Sequence, residues 1–290
     1  MSTQSKEDST PGQNQLQKTF IAMVFAFVIS FHAQTITEFL AVLTNNWTSF
    51  PIGSGINLDF LAVAAQIFLA LLMISISWIM WSKSQAQAHL NDINQIFTIK
   101  FFTFILEILL VTLYYGLAKS LEVDFSEFNK TKETSKYITT VSPLPEIFIM
   151  SLIFIIFLIW DITTDIINSP SEYKSSDCFD SFIDQLCGYF VYCSVSTICL
   201  IASIFLLVII PQNPTALTTI LADLALICIL LFFYQAKVYE YYGLKIFPWQ
   251  ATRKNTKRAD PPTKWEKCRV ILLSITYLVF ALMVGLCILQ

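Results

Sequence analysis

Charge is the scarce commodity in this chain. Asp, Glu, Lys and Arg make up 13% of 290 residues, about half the share of a soluble domain, which is roughly 25%. The net charge of −3 leaves no basic surface, so nucleic acid is not an expected partner. Histidine is limited to His32 and His89, and the seven cysteines form neither CxxC nor a Cys/His cluster of metal-site spacing. No metal, cofactor or catalytic residue is therefore expected. Cys187, Cys193 and Cys199 recur every six residues, which does not stack them on one helix face, and they read as small packing residues. Seven glycines are few for a transporter whose spans are interrupted by Gly or Pro. No K⁺-type filter sequence and no inverted repeat is visible. A cleavable signal is not expected, because residues 1–18 are polar and the apolar run after them is too long for one.

What the chain does have is apolar length. It is 55% hydrophobic with a mean hydropathy of +0.62, and its 25 Phe, 11 Tyr and 6 Trp suit a lipid-facing surface with interfacial belts. Seven apolar runs, at 19–44, 58–82, 97–120, 145–168, 184–210, 214–240 and 268–289, approach or exceed the about 20 residues that a spanning helix needs. The expected fold is an all-α transmembrane bundle of about seven helices over 19–290, preceded by a disordered cytoplasmic tail, 1–18. Pro211-Gln212-Asn213-Pro214 separates the fifth and sixth runs and permits only a tight hairpin. With the N-terminus inside, Lys119, Lys130, Lys132 and Lys136 fall outside, and the other fourteen of the eighteen Lys and Arg fall inside. That bias predicts a cytoplasmic N-terminus, an external C-terminus, an external loop 121–144 and a basic cytoplasmic loop 241–267. Arg253, Lys254, Lys257 and Arg258 in that loop are placed to meet anionic lipid headgroups. The expected setting is the plasma membrane.

Seven spans invite comparison with known families. The last run lacks the Lys with which microbial rhodopsins hold retinal, and two His are too few for the three-His zinc site of progestin/adiponectin-type receptors. G-protein-coupled receptors have the opposite orientation.

Function is sought in the polar groups that interrupt the runs, since an ionisable side chain at bilayer depth costs a few kcal/mol. The first run carries Phe31-His32-Ala33-Gln34-Thr35-Ile36-Thr37-Glu38-Phe39. On a helix Ser30, Gln34, Thr37 and Glu38 share one stripe and His32 lies nearly opposite. In the third run Thr103 and Glu107 share a stripe, and in the sixth Thr219, Asp223, Tyr234 and Lys237 do. Glu38, Glu107 and Asp223, with Gln34, Thr37, Thr103 and Thr219 beside them, are the candidates for an acidic pathway taking a cation or proton through a channel or transporter. The bland alternative for each is a protonated carboxyl bonded to a neighbouring helix. His32, Asp161 and Asp165 form a candidate secondary site.

Two further readings stand beside this one. Asn91-Asp92 and Asp161-x-x-x-Asp165 end runs on the same side, where aspartates can hold Mg²⁺ against a diphosphate lipid. These short segments resemble the N-D-x-x-D and second Asp-rich motifs of intramembrane prenyltransferases, although Gln95 stands where the first motif has Asp. The other reading is a non-enzymatic anchor or subunit, as a homo-oligomer or in a membrane complex, including an effector that depolarises a membrane.

Overall fold

The computed structural model describes residues 11–47, 58–87, 99–120, 125–133, 142–163, 193–241 and 264–289. They form eight helices in chain order: α1 (Pro11–Trp47), α2 (Leu58–Gln87), α3 (Ile99–Lys119), α4 (Phe125–Thr131), α5 (Leu144–Asp161), α6 (Ser194–Ile209), α7 (Ala216–Tyr241) and α8 (Lys264–Leu289). No strand occurs among the described residues. Six helices hold stretches long and apolar enough to cross a membrane: Lys18–Asn45, Leu58–Ser82, Phe101–Lys119, Leu144–Asp161, Ala216–Tyr239 and Cys268–Ile288. The seventh apolar helix, α6, is shorter at 16 residues. The chain is an all-α, multi-pass membrane helix bundle.

Local chemistry explains the boundaries. α1 begins on Pro11, inside the segment expected as a tail; proline suits a first helical position because its missing N–H has no intrahelical partner there anyway. α6 ends at Ile209 because the next residue but one is Pro211. A residue before proline is driven out of the helical region, and Ile210 is extended, with φ −66° and ψ 129°. Four residues later the Thr215 hydroxyl accepts the Thr218 N–H at 3.2 Å and caps the start of α7. The expected tight hairpin is therefore present, and α6 and α7 pack against each other. The loop expected at 121–144 contains α4, whose end is set by Lys132 in the left-handed region (φ 59°) with its N–H on Phe128 O at 2.6 Å.

The main core runs through all the long helices, from Ile21 and Phe25 on α1 to Ala281 and Val284 on α8. Its densest aromatic knot joins Phe25 to Trp78, Trp81 and Tyr114, with ring centroids 5.2, 6.0 and 5.9 Å away. α5 packs on α3 and α6, and α7 on α2, α6 and α8. α8 lies on the outside, showing Leu272, Ile275, Val279 and Met283 outward, as a lipid-facing helix does.

Contacts between helices fix relative depth. Phe20 meets Phe104 and Phe31 meets Tyr115, so α1 and α3 run side by side in the same direction. Lys119, the last residue of α3, holds its ammonium 5.1 Å from the Phe31 ring. Gln66 donates to Ser142 O at 3.4 Å, placing the start of α5 level with Gln66. α3 thus ends one turn past the level of Phe31 on α1, and α5 begins level with Gln66 on α2; this end is called the rim below. The end of α1 and the start of α2 continue past the rim, and α4 covers them: Phe128 is buried against a separate small core of Phe39, Val42, Phe60, Val63 and Ile67.

Candidate functional site

The helix arrangement sends the sequence-expected residues to different surroundings. Glu38 takes a hydrogen bond from Gln34 Nε2 at 2.8 Å. Gln34 and Thr37 are exposed on the outer side of α1, and the Thr37 hydroxyl is spent on Ala33 O at 2.8 Å. Phe31 is level with Tyr115, one turn before α3 ends, so Glu38, seven residues past Phe31, stands about 5 Å beyond that end. It lies within the apolar stretch Lys18–Asn45 of α1. The stripe and His32 do lie on opposite faces, and it is His32 that turns inward. It is 1% exposed, and its Nε2 lies 3.0 Å from Ile67 O. A carbonyl only accepts, so Nε2 carries the proton of that bond.

Glu107 is half-buried on α3 and accepts from Trp81 Nε1 at 3.4 Å, beside the aromatic knot. Thr103, also half-buried, sits one turn before it. α1 packs on α3 but α7 is held by α2, α6 and α8. Glu38, Glu107 and Asp223 therefore do not meet.

A polar seam does form between α5, α6 and α7. At one end Lys237 Nζ lies 2.7 Å from Asp161 Oδ2, with side-chain exposures of 11% and 1%. Ser196 donates to the same oxygen from the first turn of α6. Charges this far from water hold only when paired and hydrogen-bonded. Sequence reading put Lys237 on a stripe with Asp223 and Asp161 at the cytoplasmic edge; packing joins Lys237 and Asp161 instead. One turn back on each helix stand Phe157 and Phe233, their centroids 4.8 Å apart, with Phe154 5.5 Å from Phe233. These rings close the seam above the ion pair. Halfway along, Ser151 on α5 bonds Ser203 on α6 at 3.1 Å.

At the rim end of the same seam are two buried acids. Asp223 is 0% exposed and neither of its carboxyl oxygens has a hydrogen-bond partner among the described residues. Glu146, in the first turn of α5, is 2% exposed. It lies fifteen residues back from Asp161 as Asp223 lies fourteen back from Lys237, so the paired ends of the two helices set the acids at one level. Thr219 is fully buried one turn before Asp223, its hydroxyl donating to Thr215 O at 3.3 Å. Sequence reading missed Glu146. An acid just inside a helix after Pro143 and Pro145 is a common first-turn residue, so only its burial singles it out.

Asp165, Asn91, Asp92 and the basic residues Arg253, Lys254, Lys257 and Arg258 lie outside the described residues. Among the described residues no group of three or more His, Cys, Asp or Glu gathers to hold a metal ion, and Asp161 Oδ2 is engaged by the Lys237 ammonium and the Ser196 hydroxyl.

Fold and seam together define an integral, multi-pass membrane protein with ionisable groups sealed in its interior. No protein-family model, curated protein or solved structure matches the chain.

Proposed function

We propose that this protein moves a proton or a small cation across the membrane along the α5–α6–α7 seam. The observation that carries the reading is the pairing of two sealed charged sites on the same helices. Glu146 and Asp161 are fifteen residues apart on α5, and Asp223 and Lys237 fourteen apart on α7. At about 1.5 Å per residue each separation is roughly 21–23 Å, most of the about 30 Å of hydrocarbon. A bundle held only by packing has no need of ionisable groups at both ends of one interface, and each is costly to keep there. The phenyl rings between them make this a closed arrangement, in which passage requires Phe157 and Phe233 to part. Glu107 and Thr103 stand outside this route, behind the aromatic knot.

The test is flux through vesicles reconstituted with purified protein, read with pH- and Na⁺-sensitive dyes under an imposed gradient. Asp223→Asn preserves shape while removing the titratable group, and flux should fall to a small fraction of the native rate if the group lies on the route. Empty-vesicle rates from the native protein, or full flux from Asp223→Asn, would refute the reading.

A further inference from the structure

The rim-end pair has a chemistry of its own. The register set by the Asp161–Lys237 and Phe157–Phe233 contacts brings Glu146 to the level of Asp223, with Asp161 and Lys237 about 21–23 Å away at the other end of the seam. The other charged side chains described on the helices packed against α7, Asp59 and Arg269, are exposed. Nearby donors are engaged elsewhere: the Thr219 hydroxyl on Thr215 O, the Gln66 amide on Ser142 O. Two carboxylates at one level of the same interface and out of water repel, because a low dielectric magnifies their Coulomb energy. A proton or a metal ion relieves that repulsion. Hard cations take about six oxygen ligands; two carboxyls supply at most four, and no third acidic, His or Cys ligand gathers among the described residues. A proton needs one oxygen to hold it and a second to receive it.

We propose that Glu146 and Asp223 form a proton-binding site whose two carboxyls share one proton, carried on one or the other. One is the acid, the other the carboxylate, and the pair carries a single negative charge. Transfer breaks the O–H bond on Glu146 as another forms on an Asp223 oxygen, leaving the charge on Glu146. Asp223 accepts no hydrogen bond in this arrangement, so the step occurs when the longer Glu146 side chain swings to meet it. Glu146 lies two residues into α5 and Asp223 seven into α7; the proton is passed from the acid at the start of α5 to the one held inside α7. This assignment rests on the seam as the route and names the proton as the species that uses it.

Infrared titration of the purified protein in lipid nanodiscs tests it. In the difference between native protein and Asp223→Asn, a protonated-carboxyl C=O band should be present and should shift down in D₂O. Its area should titrate in two steps, as interacting sites do, and in one step in Glu146→Gln. NaCl or CaCl₂ added at constant pH should leave it unchanged. Collapse of the band on adding salt would make the pair a metal-cation site and overturn the proposal; so would one-step titration of the native protein, a measurement that holds even if Glu146→Gln fails to fold. Flux on the same preparations separates the two readings. Two-step titration without flux sustains the proton site and rejects transport, whereas Na⁺ flux with one-step titration sustains transport and rejects the proton site.

Discussion

Lys237 and Asp161 show how an unaffordable side chain becomes structural. Alone in a bundle interior, either charge would be driven to neutralise or to reach water; together, with the Ser196 hydroxyl on the same oxygen, they are kept. Removing one partner is then far worse than removing both. Lys237→Met should destabilise the bundle by about 3–5 kcal/mol, the usual cost of a widowed buried charge, read as a lowered midpoint in denaturant titration of the detergent-solubilised protein. Adding Asp161→Leu to it should recover most of that loss. Native stability in the single variant would show that water reaches Asp161. The pair was half legible in the sequence. Both residues lie near the ends of runs on the same side, but they are 76 positions apart, and the helix periodicity that ties Lys237 to Asp223 says nothing about which neighbour each face meets.

Among the elements, periodicity and turn chemistry were enough to find the long helices and the Pro211–Pro214 hairpin, because both are local. What was not local was illegible. The stripe of Ser30, Gln34, Thr37 and Glu38 is real, yet period alone cannot tell an inward stripe from an outward one, and here His32 faces the core. Nor can it give depth: α1 is 37 residues long, and only its contacts with α3 reveal how much lies past the rim. α4 was hidden for a related reason. Its seven residues are too few to hold as a helix alone, and it is stabilised by burying Phe128 on the overhanging ends of α1 and α2. Phe128→Ala should therefore act locally. It should cost about 3 kcal/mol at that small core, seen as faster amide exchange across 125–133, with exchange in α5 to α7 unchanged because they belong to a separate core. Protection lost throughout the bundle would mean the two cores are one.

For the molecule as a whole, the ends of the helices settle which parts must share a side. Asp161 closes α5, Ser196 opens α6 and Lys237 is in the last turns of α7, and the three are in contact. α6 covers only about 24 Å at its 16 residues, short of the hydrocarbon thickness, but the Pro211–Pro214 turn still carries the chain to the far end before α7 returns. Lys130 belongs to α4, which sits on the opposite, rim end of the bundle. Asn255 follows α7 by fourteen residues and Thr10 immediately precedes α1, which runs toward the rim. Tags placed at Thr10 and Asn255 should therefore be reached from one face of the membrane and a tag at Lys130 from the other, with the charge bias making the first face cytoplasmic. Protease or membrane-impermeant labelling of intact cells should modify position 130 and spare 10 and 255. Finding 130 and 255 on the same face would break the seam itself, since the acid pair and the ion pair could then no longer lie toward opposite sides of the membrane.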